Sequence, residues 1–252
     1  MSFLERIRPA KEAEVADLRA APPDPSAAPP ARSLHAALKA PGLQAIAEVK
    51  RRSPSRGLIR EGADAADIAR SYAAAGAAAI SVLTDGPHFG GSLDDLQAVR
   101  AAVDIPVLRK DFLIDPLQVA EARAAGADAV LLIVAMLADE VLQELLDATR
   151  VLGMEALVET HTAAEVARAL ACGARIIGVN NRDLVSLEVD LAHGEAVLPG
   201  LPPQVARVAE SGIRGPADRR RMEAAGADAI LVGTALMGAA DPGVALRGLL
   251  ES

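Results

Sequence analysis

Apolar runs along the chain alternate with polar, helix-like segments, and four of these runs begin in the same way. Each of the four follows a Gly-Ala pair, whose glycines are Gly76, Gly126, Gly173 and Gly226, at spacings of 50, 47 and 53 residues. This pattern is typical of a helix that ends at a left-handed glycine and leads into a buried strand. Four further apolar runs lie at residues 44–50, 105–112, 154–160 and 205–211. The chain is therefore predicted to contain eight strands, two in each repeat.

Helix start signals occupy the segments between these runs. Asp115 and Asp241 each precede a proline, which places a capping carboxylate before a proline at the first helical position. Ser92 and Thr162 are each followed three residues later by an acidic residue, which is the spacing of a capping box. Strand and helix thus alternate along the chain, as in an α/β protein.

The fold predicted from this alternation is a single (β/α)8 TIM barrel. The chain has 252 residues, and barrels of this type typically need about 250. A doubly wound open sheet shows the same alternation of strand and helix. The even spacing of the repeats, and the absence of a Gly-x-Gly-x-x-Gly turn after the first strand, favour the closed barrel.

Residues 1–40 lie outside the repeat. An amphipathic start is followed by a proline-rich connector at residues 21–33, which cannot form the interior of a helix or strand. A short helix is predicted over 33–40, just before the first strand. We expect residues 1–40 to form an N-terminal helical extension packed on a barrel of residues 44–252, the whole chain being one domain.

Composition narrows the possible functions. Hydrophobic residues make up 51% of the chain and charged residues 24%, which is enough apolar surface for a large core. The net charge of −8 argues against a nucleic-acid or anionic-membrane surface. No apolar run approaches a membrane span, and the N-terminus lacks a secretory signal, so we expect a soluble, cytoplasmic protein. We also expect a monomer, although no residue pattern in the chain predicts the oligomeric state.

Cysteine and histidine usage predicts no disulfide and no metal site. Cys172 is the single cysteine and cannot form an internal disulfide. The four histidines do not show the spacing of metal ligands; they are His35, His88, His161 and His193. Catalysis would then depend on carboxylates, amides and lysines.

Such groups are found where the predicted strands end, which is where barrel enzymes place their chemistry. These positions hold Glu48, Lys50, Thr84, Lys110, Glu159, Asn180, Glu210 and Ser211. In a ring of eight strands the first faces the fifth and the third faces the seventh. Glu159 is therefore expected opposite Glu48 and Lys50, and Lys110 opposite Glu210, in a ring of alternating charge.

Three of these charged residues could also have a purely structural role. Glu48 and Lys50 could form a simple ion pair at the rim, and Lys110 lies in a charged run that could be solvated. Lysine usage favours function, because only four of the 26 basic residues are lysines. Lysine can be tuned to transfer protons, whereas arginine stays protonated.

The loops after the seventh and eighth strands predict a phosphate site. They contain Ser211, Gly212, Gly233 and Thr234, and a short helix beginning near Thr234 would point free backbone N–H groups at an anion. Gly233 alone could also be a tight turn.

Two further features are expected at the same face. The loop at residues 53–57, beginning at Ser53, could fold over a ligand or act as a plain connector. Phe89 and Phe112 are two of only four aromatic residues. In loops at this face they favour an aromatic ligand, although phenylalanines commonly belong to the core.

Several of these segments together resemble indole-3-glycerol phosphate synthase. The resemblance is carried by AEVKRRSPSRG (47–57), KDF (110–112), GVNNRDL (178–184), AESGI (209–213) and VGTALM (232–237), and runs from about Ala47 to the C-terminus. Two positions depart from the family pattern. Thr234 stands where many members have serine, and Arg109 where an apolar residue is usual.

The resemblance implies an enzyme of tryptophan biosynthesis. Such enzymes convert 1-(o-carboxyphenylamino)-1-deoxyribulose 5-phosphate to indole-3-glycerol phosphate, CO2 and water, without a cofactor. It implies that Lys50 and Lys110 donate protons and that Glu159 is the general base. The remaining implied roles are positioning of the reacting groups by Glu48, Asn180 and Ser211, carboxylate or indirect positioning by Arg182 and Glu210, and phosphate binding by Ser211, Gly212, Gly233 and Thr234.

Three alternatives remain open, two of which are other functions and one another mechanism. A phosphosugar isomerase of the preceding step would need an acid–base pair, but has no need of two lysines at strand ends. A catalytically inactive barrel that only binds sugar phosphates would need the phosphate loops alone. Schiff-base chemistry on Lys110 is the third.

Overall fold

Eight parallel strands close into a barrel in the computed structural model, which describes residues 3–54, 56–183 and 186–251. Ser55 and Leu184, within the motifs quoted above, lie outside the described residues. The barrel strands are β1 (Gln44–Val49), β2 (Ala79–Leu83), β3 (Val107–Lys110), β4 (Ala129–Ile133), β5 (Glu155–Thr160), β6 (Ile176–Asn180), β7 (Ala206–Glu210) and β8 (Ala229–Val232). Each coincides with one predicted apolar run.

Pairing between the first and last strands closes the ring. Ala45 of β1 lies opposite Ile230 of β8, and Ile46 of β1 lies opposite Ala79 of β2. An open doubly wound sheet would leave β1 and β8 unpaired with each other. The predicted (β/α)8 barrel is thus confirmed.

Helices surround the barrel and begin at the predicted caps. Ser92, Asp115, Thr162 and Asp241 each accept a hydrogen bond from the first turn of the helix that follows. The helices are α1 (Phe3–Ala20), α2 (Leu34–Leu38), α3 (Ala65–Ala74), α4 (Gly86–Phe89), α5 (Leu93–Ala102), α6 (Pro116–Ala124), α7 (Asp139–Val151), α8 (Ala163–Ala171), α9 (Leu191–Val197), α10 (Pro216–Ala224), α11 (Thr234–Met237) and α12 (Pro242–Leu250). No helix within the described ranges is both long and apolar enough to cross a membrane.

The repeated glycines end helices as predicted. Gly76 has φ +95° and Gly126 has φ +91°, and each directly precedes the turn into the next strand. In this left-handed region a side chain would be strained. The repeat seen in the sequence is therefore a repeated helix-to-strand connection.

The N-terminal segment packs on the barrel. Ile7 of α1 is fully buried, and the connector is held at the amino ends of the strands, where the Arg32 N–H donates to buried Asp128 at 2.8 Å. The short helix α2 spans Leu34–Leu38, two residues shorter at its C-terminal end than predicted, and Ser33 caps its start.

A buried ion cluster joins α1 to the other end of the barrel. Lys11 is 1% exposed, and its Nζ lies 2.8 Å from Asp111 Oδ1 and 3.2 Å from Asp85 Oδ2. Asp85 follows β2 and Asp111 follows β3 directly after Lys110. Glu14 also contacts Lys11, at 3.0 Å. The extension is thus linked to the strand that carries Lys110.

Arg109 belongs to the same cluster, which explains the charge at this position. Its side chain points away from the barrel interior and donates to Thr84 Oγ1 at 3.1 Å and to Asp111 Oδ2 at 3.2 Å. Glu121 of α6 lies 2.8 Å from it. The guanidinium thus balances buried carboxylates beneath helix α6.

Replacing Lys11 with Met is expected to destabilise the fold strongly. It leaves Asp85 and Asp111 buried beside each other without their ammonium partner, a loss that typically costs about 3–5 kcal/mol. Arg19→Met is the matched control on the same helix, because Arg19 is 67% exposed in its 2.8 Å pair with Asp115. Such a surface pair contributes about 0–1 kcal/mol. The measurement is urea unfolding of both variants, and equal losses would show that the buried cluster contributes no more than a surface pair.

Candidate active site

A cavity of about 490 Å³ opens at the carboxyl ends of the strands. Its floor is apolar, formed by Leu131, Ile133 and Leu231, and charged side chains surround it. A volume of this size suits a small-molecule ligand. All the predicted site residues line it: Glu48, Lys50, Ser53, Phe89, Lys110, Phe112, Glu159, Asn180, Arg182, Glu210, Ser211, Gly212, Gly233 and Thr234.

The Lys110 ammonium lies among three carboxylates from three strands. Its Nζ is 3.8 Å from Glu48 of β1, 3.9 Å from Glu159 of β5 and 3.8 Å from Glu210 of β7. The expected approach of Lys110 to Glu210 is confirmed. Carboxylates from β1, β5 and β7 thus surround one lysine.

This arrangement keeps Lys110 and Glu48 charged. Burial lowers the pKa of Lys110, but the field of Glu48, Glu210 and Glu159 outweighs it and raises the pKa above the ordinary lysine value. Burial opposes ionisation of Glu48 in the same way. Lys50 at 2.6 Å, together with Lys110, overcomes that effect and lowers the pKa of Glu48.

Glu210 behaves differently from its two neighbours. Burial and the adjacent charge of Glu159 raise the pKa of Glu210 to about 8, although Lys110 acts against this. At neutral pH the site therefore holds a protonated carboxyl. Its Oε1 occupies the space above Gly178, where an added Cβ would lie 2.0 Å away. In the sequence Gly178 is only the first residue of the GVNNRDL motif, and the residues around it do not indicate that the carboxyl of a β7 residue occupies this space.

Glu159 is held in place from the side by neighbouring polar groups. The side-chain Nδ2 of Asn180 donates to Glu159 Oε1 at 3.0 Å, and its side-chain Oδ1 accepts from the backbone N–H of Arg182 at 3.0 Å. Asn181 donates to the backbone carbonyls of Glu210 and Ser211, at 3.0 Å and 3.1 Å. Asn181 thus ties the end of β6 to the end of β7.

The two loops predicted to bind phosphate meet at one side of the cavity. Ser211 has φ +63° and Gly212 has φ +86°, so the chain turns sharply after β7. Gly233 precedes α11, which begins at Thr234 as predicted. A Cβ on Gly233 would lie 2.4 Å from Glu48 Oε1, so this position also provides space for a carboxylate.

Aromatic and cationic groups also line the cavity. The rings of Phe89 and Phe112 are 6.1 Å apart and tilted by 38°. Arg56 and Arg182 both line the cavity, and burial together with the neighbouring Arg56 charge lowers the pKa of Arg182. Two guanidinium groups this close favour an anionic ligand. Sequence reasoning did not single out Arg56.

Ser53 belongs to a small hairpin over the cavity. The hairpin pairs Arg52–Ser53 with Gly57–Leu58, and the Ser53 side chain accepts from the Arg56 N–H at 3.2 Å. Among the residues that the structure describes, no group of His, Cys, Asp and Glu side chains is arranged to hold a metal ion.

The family model for indole-3-glycerol phosphate synthase matches residues 4–249. The chain belongs to the indole-3-glycerol phosphate synthase family. It is therefore an enzyme of the carboxy-lyase class. The match extends through the N-terminal helix, whereas the sequence motifs began at Ala47.

Relatives with this name cover most of the chain. The protein from Mycobacterium sp. strain KMS is 56% identical over 89% of this chain and 83% of its own. That from Mycobacteroides abscessus is 53% identical over 100% of this chain and 93% of its own. A solved structure of a 3-hexulose-6-phosphate synthase shares the fold, with a TM-score of 0.65 at 21% identity, covering 83% of this chain and 99% of its own.

Glu210→Gln tests the protonated carboxyl. The folded protein retains the Glu210 proton to about pH 8, whereas the unfolded chain releases it near the ordinary value of 4.5. Because the folded state binds more protons in this window, the free energy of unfolding of the parent should fall as pH rises from about 4.5 to about 8. The variant lacks this decrease. Urea unfolding across that range should give a stability difference, variant minus parent, that grows with pH, and a constant difference would contradict the assignment.

Proposed function

We propose that this enzyme closes the indole ring of indole-3-glycerol phosphate, in tryptophan biosynthesis, from 1-(o-carboxyphenylamino)-1-deoxyribulose 5-phosphate. The observation that carries the proposal is Lys110, whose ammonium lies within 3.9 Å of three buried carboxylates in a cavity that is also lined by the loops after β7 and β8 and by an aromatic pair. The reaction needs an acid and a base within reach of one carbon framework. No cofactor has a part in it.

We propose one orientation for the substrate in the cavity. Its phosphate binds the backbone at Ser211, Gly212 and Gly233 and the hydroxyl of Thr234, at the start of α11. Its aryl ring lies against Phe89 and Phe112. This directs the aryl carboxylate to the guanidinium of Arg182. The ketone is then left above Lys110, on the axis of the barrel.

The proton balance of the reaction assigns the charged groups. The aryl carbon attacks the ketone carbon, whose oxygen takes up one proton, and the carboxylate then leaves as CO2. The resulting hydroxyl takes up a second proton and leaves as water, while a carbon-bound proton is removed to form the ring double bond. Lys110 and Lys50 donate the two protons, and Glu159 removes the third.

The surrounding groups set these roles. Glu48 holds Lys50 at 2.6 Å and so keeps its ammonium at the cavity wall. Asn180 orients Glu159, and Ser211 with Glu210 places the groups around the reacting carbon. One proton is consumed overall, because the negative charge of the carboxylate leaves as neutral CO2. The site must therefore be recharged with a proton from solvent in each cycle.

The direct test is incubation with the carboxyphenylamino ribulose phosphate while indole fluorescence is followed. Product formation supports the proposal. Binding without turnover at high enzyme concentration would favour an inactive sugar-phosphate barrel. Turnover of the preceding pathway intermediate instead would favour an isomerase. A covalent adduct with Lys110 after borohydride reduction would show Schiff-base chemistry.

Lys110→Arg should abolish most of the turnover while keeping the charge. Arginine remains protonated at any working pH and cannot donate, so kcat should fall by at least about 10²-fold, within the range of general acid–base catalysis. Substrate Kd should change little, because the phosphate contacts remain. Lys39→Arg is the matched control, since Lys39 pairs with Asp228 at 3.0 Å, at the opposite end of the barrel. A kcat within about tenfold of the parent would limit Lys110 to an electrostatic role.

A further inference from the structure

His161 contacts Glu159 but is not among the described residues that line the cavity. It follows the last residue of β5, and its Nε2 lies 3.5 Å from Glu159 Oε1. On its other side, Nδ1 lies 3.6 Å from Glu165 Oε2, near the start of α8. The imidazole thus lies between the carboxylate of the proposed base and a second carboxylate.

The backbone and burial fix this geometry. The His161 N–H donates to Glu165 Oε2 at 2.6 Å, which ties the end of β5 to the first turn of α8. The His161 side chain is 13% exposed. Both ring nitrogens are buried and make no hydrogen bond with the residues that the structure describes. The ring is thus held by packing, with its nitrogens directed at two acids.

Carboxylates dominate the charges around the ring. Glu159 faces it from β5, Glu165 from α8 and Asp183 from the segment after β6. Burial lowers the pKa of His161, but the contact with Glu165 and the fields of Glu159 and Asp183 outweigh burial, and the pKa is raised above the ordinary histidine value. The ring is therefore a cation over a wider pH range than a free histidine.

We propose that His161 is a positioning residue for Glu159. Asn180 donates to Glu159 Oε1 and the His161 ring lies 3.5 Å from the same oxygen, which leaves Oε2 facing Lys110 and the cavity as the oxygen that accepts the substrate proton. The imidazolium also places a positive charge 3.5 Å from the carboxylate of the proposed base. This inference rests on the proposed role of Glu159 in dehydration.

The kinetic test compares neutral and cationic substitutions. In His161→Gln the site loses the cation beside the proposed base, so the acidic limb of the pH profile of kcat/KM should move to higher pH. His161→Lys keeps a positive charge and should leave the limb close to that of the parent. His88→Gln is the control, because His88 pairs at 3.0 Å with Asp85, which is not one of the three carboxylates around Lys110. Thermal unfolding checks that each variant folds.

A second readout is independent of activity. The chain has only four histidines, so the NMR signal that disappears in His161→Gln identifies His161. Its titration midpoint in the parent should lie above the ordinary value of 6.5. The midpoint should fall in both Glu159→Gln and Glu165→Gln, because each variant removes one carboxylate from the ring.

The outcomes separate the two proposals. Overlapping kcat/KM profiles for His161→Gln and the parent, or an unchanged His161 midpoint in Glu159→Gln, would overturn the inference about His161. Full turnover by Glu159→Gln would instead overturn the assignment of Glu159 as the base, whatever the histidine titration shows. A shifted limb in His161→Gln, restored in His161→Lys, supports the electrostatic role, because packing alone would not follow the charge.

Discussion

The ammonium of Lys110 is the charge on which the arrangement of the site depends. Three carboxylates converge on the barrel axis within 3.9 Å of it, and without a cation their mutual repulsion and desolvation would be severe. With it, Glu48 stays ionised, whereas Glu210 still takes up a proton because burial and Glu159 act together. A carboxylate and a protonated carboxyl thus coexist around one lysine in a single small cavity.

The same strand carries charge on both of its faces. Lys110 points into the barrel, while Arg109 beside it points outward and shares Asp111 with Lys11 of the N-terminal helix. Because a buried ion pair is costly to break, this cluster fixes the end of β3 and the extension relative to each other. The N-terminal helix therefore supports the catalytic face, and its Leu4 reaches the cavity wall.

Close approach decides much of the remaining geometry. Glu210 and Glu48 lie where any side chain on Gly178 or Gly233 would displace them. Glu159 accepts a hydrogen bond from Asn180 at one oxygen, and its other oxygen faces Lys110. Different neighbours thus act on similar groups in opposite ways, lowering the pKa of Glu48 and raising that of Glu210.

The barrel and the location of the site were predictable because they depend on local signals. Strand periodicity, capping residues and left-handed glycines act within a few residues, and the carboxyl ends of parallel strands must share one face. The tertiary structure alone decided which charges meet. Lys110 contacts carboxylates from strands up to 100 residues away, and Arg109, Lys11 and Gly178 have neighbours that no local pattern identifies. Burial, distance and pKa depend on these long-range contacts, and so they emerge only once the barrel has closed.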